Sequence, residues 1–453
     1  MTTTGQLYQL YLQYPAISTD TRKIAVGSLF FALKGDKFDA NTFAEQAIAQ
    51  GASYAVIDNA QYRLNEKYLL VDDVLTALQE LARYHRRQLT IPVIGLTGTN
   101  GKTTTKELIN AVLAQHFKTL ATQGNLNNHI GVPLTILSID ASHQIAVVEM
   151  GANHQKEIEL LCSISQPTHG LITNVGKAHL EGFGGVEGVK IAKGELYDYL
   201  APWPPTVGGG VHGGVVFVNS NSNTLMEMQA ARHFATAPVF YGDAIDDLVS
   251  GEITENSPLL SLQWTNNTSG ESYSVKTNLT GAYNLDNILA AICIGVYFKL
   301  PASEINKGIE GYQPQNNRSQ IVQTVTNTLI CDYYNANPSS MFVAIENIGK
   351  LTADRKVLIL GDMFELGEES AMEHRAIIEK ALATAVDERI FIGSEFFSVS
   401  PKVGKSENRK AGSVYYRTVE EAISALTSNP IKNSTILIKG SRGMALERLV
   451  GLF

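Results

Sequence analysis

Short apolar runs separated by amphipathic stretches recur along the whole chain. Val93-Ile94-Gly95-Leu96-Thr97, Ile145-Ala146-Val147-Val148, Leu171-Ile172-Thr173 and Val215-Val216-Phe217-Val218 are apolar with little alternation, as strands buried on both faces of a sheet require. Between the first two the spacing turns helical, with Leu108, Ile109, Val112, Leu113 and Phe117 on one face. Strands of this kind alternating with helices predict an α/β protein built on parallel sheets.

Three blocks emerge. In residues 1–90, strands are expected at Leu29–Leu33 and Tyr54–Ile57, flanking a helix-like stretch over Phe43–Gln50. A further helix is expected from Asp73 to Gln88, where Leu75, Leu78, Leu81 and Ala82 share a face, and Pro92 marks the exit from it. Residues 91–312 hold the runs named above. Residues 313–453 repeat the style, with strands expected at Thr328–Cys331, Val357–Leu360, Ile390–Ile392 and Ile436–Ile438. Asn337-Pro338 reads as an N-cap followed by proline at the first helical position, opening a helix that carries Phe342 and Ile345. No internal repeat appears at a solenoid period. The tract Pro202–Gly214 (PWPPTVGGGVHGG) is expected to be a flexible surface loop and receives no functional role.

Composition sharpens this reading at a few points. A chain of 453 residues exceeds one ordinary core and suits roughly three domains of about 100–200 residues each. No apolar run reaches the ~18–20 residues that span a bilayer, and the N-terminus MTTTGQLYQLYLQYPA lacks the basic start and apolar stretch of a secretory signal. Cys162, Cys293 and Cys331 are odd in number and lack metal-ligand spacing, so buried thiols in a reducing cytoplasm are expected. A net charge of −8 argues against broad nucleic-acid binding. A small anion can still be held locally by a helix end and a few cations.

The sharpest local signal is Gly95-Leu96-Thr97-Gly98-Thr99-Asn100-Gly101-Lys102-Thr103-Thr104. It lies between a strand and a helix, the context a phosphate loop needs. Its glycines permit a tight turn whose N–H groups converge on phosphate oxygens, and the helix N-terminus adds partial positive charge. Lys102 is expected to reach the β- and γ-phosphates of a nucleotide, and the Thr103 hydroxyl to bind Mg²⁺. Leu96 stands where the strict pattern has glycine, so the loop is a variant. Kinases, GTPases, motor ATPases and ligases all use such a loop, so other residues must choose the reaction.

The run Gly98-Thr99-Asn100-Gly101-Lys102-Thr103-Thr104 resembles the signature of the Mur ligase family, which includes folylpolyglutamate synthases. The resemblance continues through Gly124-Asn125-Leu126-Asn127-Asn128-His129-Ile130-Gly131-Val132-Pro133, Val148-Glu149-Met150-Gly151-Ala152 and Asn174-Val175-Gly176-Lys177-Ala178-His179-Leu180-Glu181-Gly182-Phe183. It ends with Tyr334-Asn335-Ala336-Asn337-Pro338 and Lys439-Gly440-Ser441-Arg442-Gly443. It covers about the whole length, and these segments are similar to the branch that adds D-alanyl-D-alanine to a UDP-linked muramoyl tripeptide.

The resemblance implies three domains: a small N-terminal α/β domain binding UDP (1–90), a central phosphate-loop ATPase-like parallel sheet (91–312) and a C-terminal Rossmann-like α/β domain (313–453). It implies ATP, two Mg²⁺ ions, UDP-N-acetylmuramoyl-tripeptide and D-alanyl-D-alanine as ligands, an acyl-phosphate intermediate, and action as a monomer in the cytoplasm. By resemblance Glu149 and Thr103 hold the first metal, and His179 is a ligand of the second. Lys193 matches a lysine that the family carbamoylates, with nearby Lys190 the competing candidate. With Lys102, these residues would carry the chemistry. Gly98–Thr104, Asn284, Asn287, Arg318 and Asp332 would contact ATP, although Asn at a helix start is as readily a cap and Tyr283 replaces a common histidine. Thr21 and Arg22 would bind the UDP substrate, together with Asn125, Asn127, Asn128, Asn335 and Asn337 at the peptide and nucleotide. Ala40 and Asn41 replace the glycine and histidine of a common first-block loop.

Two alternatives remain at this level. One is another ligase of the family, such as that adding the third-position diamino acid. The other is a phosphate-loop protein that makes no amide bond, which would need Lys102 but not Lys193, His179 and the third-block motifs together.

Overall fold

The structure is a computed structural model that describes residues 1–178, 180–201, 213–315, 317–400 and 412–453. Most of the expected tract at Pro202–Gly214 therefore lies outside the described residues. The apolar runs do what their composition demands and pair side by side, most of them parallel. Ile17–Ser18, Leu29–Phe31, Tyr54–Ile57 and Tyr68–Leu70 form a four-stranded parallel sheet in that order.

Nine strands make the second sheet. Val93–Thr97 lies inside it, between Ile145–Glu149 and His169–Ile172, parallel to both. An antiparallel meander of Val249–Asn256, Leu260–Asn266 and Glu271–Lys276 extends one side. The third sheet has six strands, of which only the edge strand Gln320–Gln323 is antiparallel to its neighbour. The α/β class is as expected. The first-block strand stops at Phe31, short of Leu33, and Thr173 falls outside its strand. The Thr173 amide still donates to the Thr97 carbonyl at 3.0 Å, while its hydroxyl turns to the carbonyl of Asn100 at 2.6 Å.

Helix starts follow local chemistry. Asp73 caps Val74–Gln88 by accepting from the Thr76 amide at 2.7 Å. Asn337 caps Pro338–Lys350 in a reciprocal box with Ser340, proline following at the first turn.

The cores divide the chain unequally. One apolar cluster contains Leu7, Tyr11, Leu29 and Leu78 together with Val132, Ile158 and Val189. The first block is thus fused to the second through shared apolar burial. Arg86 reinforces that seam: its guanidinium donates to the carbonyls of Leu89 and Ser165 at 2.9 Å and of Gln166 at 3.0 Å. The latter two close the C-terminus of the helix Glu157–Ser165, where positive charge is favoured. Beyond Asn317 the two clusters, built on residues such as Ile330, Ile345, Leu358 and Ile438, contain third-block residues only. Among the described residues, no helix is long and apolar enough to cross a membrane.

Arg86→Ala strands these buried carbonyls and is expected to lower stability by about 3 kcal/mol. The first urea transition should shift downward; an unmoved midpoint would show that the seam does not depend on Arg86.

Candidate active site

Strand geometry sets the site. Thr97 ends one strand and Glu149 its parallel neighbour, with Leu96 and Glu149 in register, so the phosphate loop and the carboxylate emerge at one carboxyl edge. The helix Lys102–Leu113 begins there, bringing its unpaired first-turn N–H groups to the edge. Gly101 turns the loop into this helix at φ +78°, and a methyl group on it would meet Asn287 Oδ1 at 2.6 Å. Only glycine fits both demands.

Asn287 is one link in a buried chain. Its Oδ1 accepts from Thr105 Oγ1 at 2.9 Å, and its amide donates to Asn284 Oδ1 at 2.9 Å. Asn284 in turn donates to the Thr280 carbonyl at 2.8 Å. The two asparagines thus tie the helix Leu285–Tyr297 to the phosphate-loop helix and also line the cleft. Asn284 stands at the cap position but makes no side-chain cap bond.

A cleft of about 780 Å³ opens over this edge. It gathers Thr99 to Thr104, Asn125, Asn127, Asn128, Glu149, Asn284, Asn287, Arg318, Asp332, Asn335 and Asn337. Residues widely separated in sequence and drawn from two sheets therefore meet in one cavity. Lys193 is buried and is not part of its lining, while Thr21 and Arg22 lie in a short 3-10 helix between the first two strands of the first sheet and do not line it either. Arg22 is exposed and paired with Asp20 at 2.7 Å. His179 lies outside the described residues.

Glu149 is 1% exposed. Its Oε1 accepts from Asn127 Nδ2 at 2.8 Å and Thr103 Oγ1 at 3.3 Å. Its Oε2 is buried with no hydrogen-bond partner among the described residues. A bare carboxylate oxygen beside a threonine hydroxyl fits a hard divalent cation. Such an ion completes its shell with water and phosphate oxygens, so a denser acidic cluster, of which the described residues hold none, is not required. Asn127 is committed to Glu149, and Asn128 Oδ1 caps the helix Gly131–Leu137 through the Gly131 amide at 2.9 Å.

Lys102 Nζ donates to the Gly98 and Thr99 carbonyls at 2.7 and 2.9 Å. Burial lowers its pKa to about 8. Lys193 is 2% exposed, 5.1 Å from the Phe183 ring centroid, and touches one carbonyl, that of Ala152, at 3.5 Å. Burial, then the charge of Lys102, brings its pKa down to about 7. Lys190 instead faces Glu227 at 3.2 Å. Of the two lysines, Lys193 alone has the environment of a neutral amine.

In the turn before the edge strand of the third sheet, Arg318 lies 3.8 Å from the Tyr334 ring centroid, its Nε buried and unpartnered among the described residues. Asp332 holds Lys439 at 2.6 Å and accepts from the Ser319 amide at 3.2 Å. Tyr283, the departure from histidine, reaches Ser319 Oγ at 2.8 Å and so joins the second block to the third. Tyr334, Lys439 and Asn174 were not singled out by sequence, although all three lie inside motifs that were. Motif membership was the available signal.

Three family models match this chain: Mur ligase family, catalytic domain over residues 13–86, Mur ligase middle domain over 96–295, and Mur ligase, glutamate ligase domain over 317–442. The chain belongs to the Mur ligase family. It is 34% identical over 98% of its length to the UDP-N-acetylmuramoyl-tripeptide–D-alanyl-D-alanine ligase of Escherichia coli (strain K12), covering 95% of that relative. To the ligase of the same name from Bacillus subtilis (strain 168) it is 33% identical over 96% of its length, covering 92%. The crystal structure of MurF from Acinetobacter baumannii matches with TM-score 0.82 at 31% identity, over 96% of this chain and 92% of that one. A MurF ligase from Thermotoga maritima in complex with ADP matches with TM-score 0.83, over 98% and 97%. At 23% identity it speaks for the shared Mur ligase fold alone.

The Lys193 environment yields a signed prediction. An unfolded lysine titrates near 10.5, this one at about 7. Below pH 7 both states are protonated and the cost of the buried charge is fully present. Between pH 7 and 10.5 the unfolded chain binds the extra proton, so stability from this group rises with pH. Urea midpoints of wild type and Lys193→Met should differ most at pH 6, in favour of the variant, and the gap should narrow steadily from pH 7 to pH 10. A constant difference would contradict the assignment.

Proposed function

We propose that this Mur ligase joins D-alanyl-D-alanine to UDP-N-acetylmuramoyl-tripeptide at the expense of ATP, in the assembly of peptidoglycan precursors. The observation that carries the reading is full-length likeness to ligases of that name combined with a cleft that unites phosphate loop, Glu149 and third-block cations. In this reading the enzyme works in the cytoplasm as a monomer, and residues 1–90 bind the UDP end of the substrate, with Thr21 and Arg22 at its entry. Residues 91–312 hold ATP, and residues 313–453 close on it and receive the dipeptide.

ATP lies with its phosphates on the amides of Gly98–Thr104. Lys102 exchanges the Gly98 and Thr99 carbonyls for the β- and γ-phosphates, where its proton is stabilised. Arg318 turns its unpartnered Nε to the same charge, and Asp332 accepts from the ribose. Asn284 and Asn287 fix the helix beneath the nucleotide. Asn335 and Asn337 stand where the peptide and nucleotide meet. Thr103 and Glu149 would hold Mg²⁺, which supplies charge neutralisation at the β- and γ-phosphates. A second ion would fall to His179 and a carbamate on Lys193, formed as the neutral amine adds to CO₂ and releases a proton.

The chemistry follows from alignment and charge control. A carboxylate oxygen of the tripeptide attacks the γ-phosphorus as its bond to ADP breaks, giving an acyl phosphate. The dipeptide amine then attacks the acyl carbon, the bond to phosphate breaks, and the amine loses a proton.

Labelled D-alanyl-D-alanine should enter UDP-muramoyl tripeptide with stoichiometric phosphate release. Lys193→Ala should lower this rate by about 100-fold or more and recover in part with added short carboxylic acids. Wild-type activity should fall below pH 7, as Lys193 regains its proton. Incorporation of only a single amino acid, or phosphate release indifferent to acceptor and amine, would overturn the reading.

A further inference from the structure

Among the described residues the third block shares no apolar core cluster with the rest, yet it meets the phosphate loop through a short polar segment. Asn174 grips the loop at its centre. Its Oδ1 accepts from the Asn100 amide at 2.9 Å, its Nδ2 donates to the Asn100 carbonyl at 3.0 Å, and its own carbonyl accepts from the Thr99 amide at 3.0 Å. The Gly176 amide adds a bond to Thr99 Oγ1 at 2.9 Å. One residue later the same segment leaves the loop and docks the third block. The Lys177 amide donates to Ser339 Oγ at 2.9 Å, and Lys177 Nζ meets Glu373 at 2.6 Å.

The electrostatics of that last pair are one-sided. The Glu373 side chain is 4% exposed, that of Lys177 47%. At the docked interface, loss of the half-exposed lysine would leave the Glu373 carboxylate buried without its counter-charge, whereas loss of the carboxylate leaves a lysine already reached by water. A second bond runs in parallel. Asn337 Oδ1 is taken by the Ser340 amide at the helix cap, so its Nδ2 is free to donate to Asn100 Oδ1, at 2.8 Å. The residue clamped by Asn174 is therefore the residue read by the third block.

We propose that residues 174–177 form a strut coupling the state of the phosphate loop to docking of the third block, with Lys177 and Glu373 as its positioning residues. This rests on the reading that the loop binds ATP. A rearrangement of Asn100 on phosphate binding acts on both ends at once: on Asn337 directly, and on Ser339 and Glu373 through Asn174 to Lys177. Neither Lys177 nor Glu373 need touch a substrate.

Spin labels on cysteines at exposed Thr268 and Ser428 would report the distance between the two blocks in the full chain, with and without a non-hydrolysable ATP analogue and Mg²⁺. The variants are Lys177→Met, which keeps the stem and loses the charge, and Glu373→Gln, which keeps the shape. Each should reduce the nucleotide-dependent closed population, as a ratio to open, by about tenfold or more. The double variant should lose no more than Lys177→Met, and affinity for ADP should change less than about threefold. Lys156→Met, which breaks a solvent-exposed ion pair with Glu159, should close like wild type. Closure of Lys177→Met and Glu373→Gln equal to wild type would overturn the strut while leaving the ligase reading intact. Loss of ADP affinity in step with closure would also overturn it, showing a merely structural role. A wild type that binds no analogue would overturn the functional reading, and the strut with it.

Discussion

Glu149 places a buried carboxylate against the phosphate loop with one oxygen bonded and the other bare. Such an arrangement costs stability, and it persists because its surroundings over-determine it. The strand fixes its backbone, Asn127 and Thr103 fix Oε1, and the Thr122 hydroxyl takes its amide at 2.9 Å. The remaining oxygen therefore points at one place, beside the start of the helix at Lys102. In the proposed reading, a polyanion with a divalent cation would satisfy the N–H groups, the lysine and the carboxylate together. The rest of the cleft is arranged around that meeting.

The division of the molecule follows from how its parts are held. The first two blocks share apolar burial and the Arg86 seam, so they move as one. Among the described residues the third has its own cores and is attached by hydrogen bonds and the Lys177–Glu373 ion pair, several of them near the phosphate loop, with others at Tyr283–Ser319 and Ser257–Thr352. Polar attachments exchange readily with water, and interfaces of this kind permit domain motion. A ligase that must admit three substrates and then exclude water needs such a division.

Sequence was most legible where one physical requirement acts alone. Val93–Thr97 was readable to the residue because an apolar run ends at a glycine turn, and the Asn337-Pro338 helix start because capping is local. Less legible were the meander strands, such as Leu260–Asn266, whose alternating burial carries many polar residues, and edge strands such as Gln320–Gln323. Motif resemblance drew the cleft residues together before any geometry was known. It could not show which roles are direct. Asn127 spends its side chain on Glu149, Asn128 caps a helix and Asn287 braces the loop helix. The Asn174 clamp depends on contacts with a residue 74 positions away, and no local pattern encodes that. Lys193 was separable from Lys190 only by burial, a property of the folded helix face.

The most direct measurement is a crystal structure of the chain with a non-hydrolysable ATP analogue and Mg²⁺. The account predicts phosphates on the Gly98–Thr104 amides, Lys102 Nζ released from the Gly98 and Thr99 carbonyls, and the metal between Thr103 Oγ1 and the free oxygen of Glu149. A vacant loop, with nucleotide bound in another part of the molecule, would contradict it.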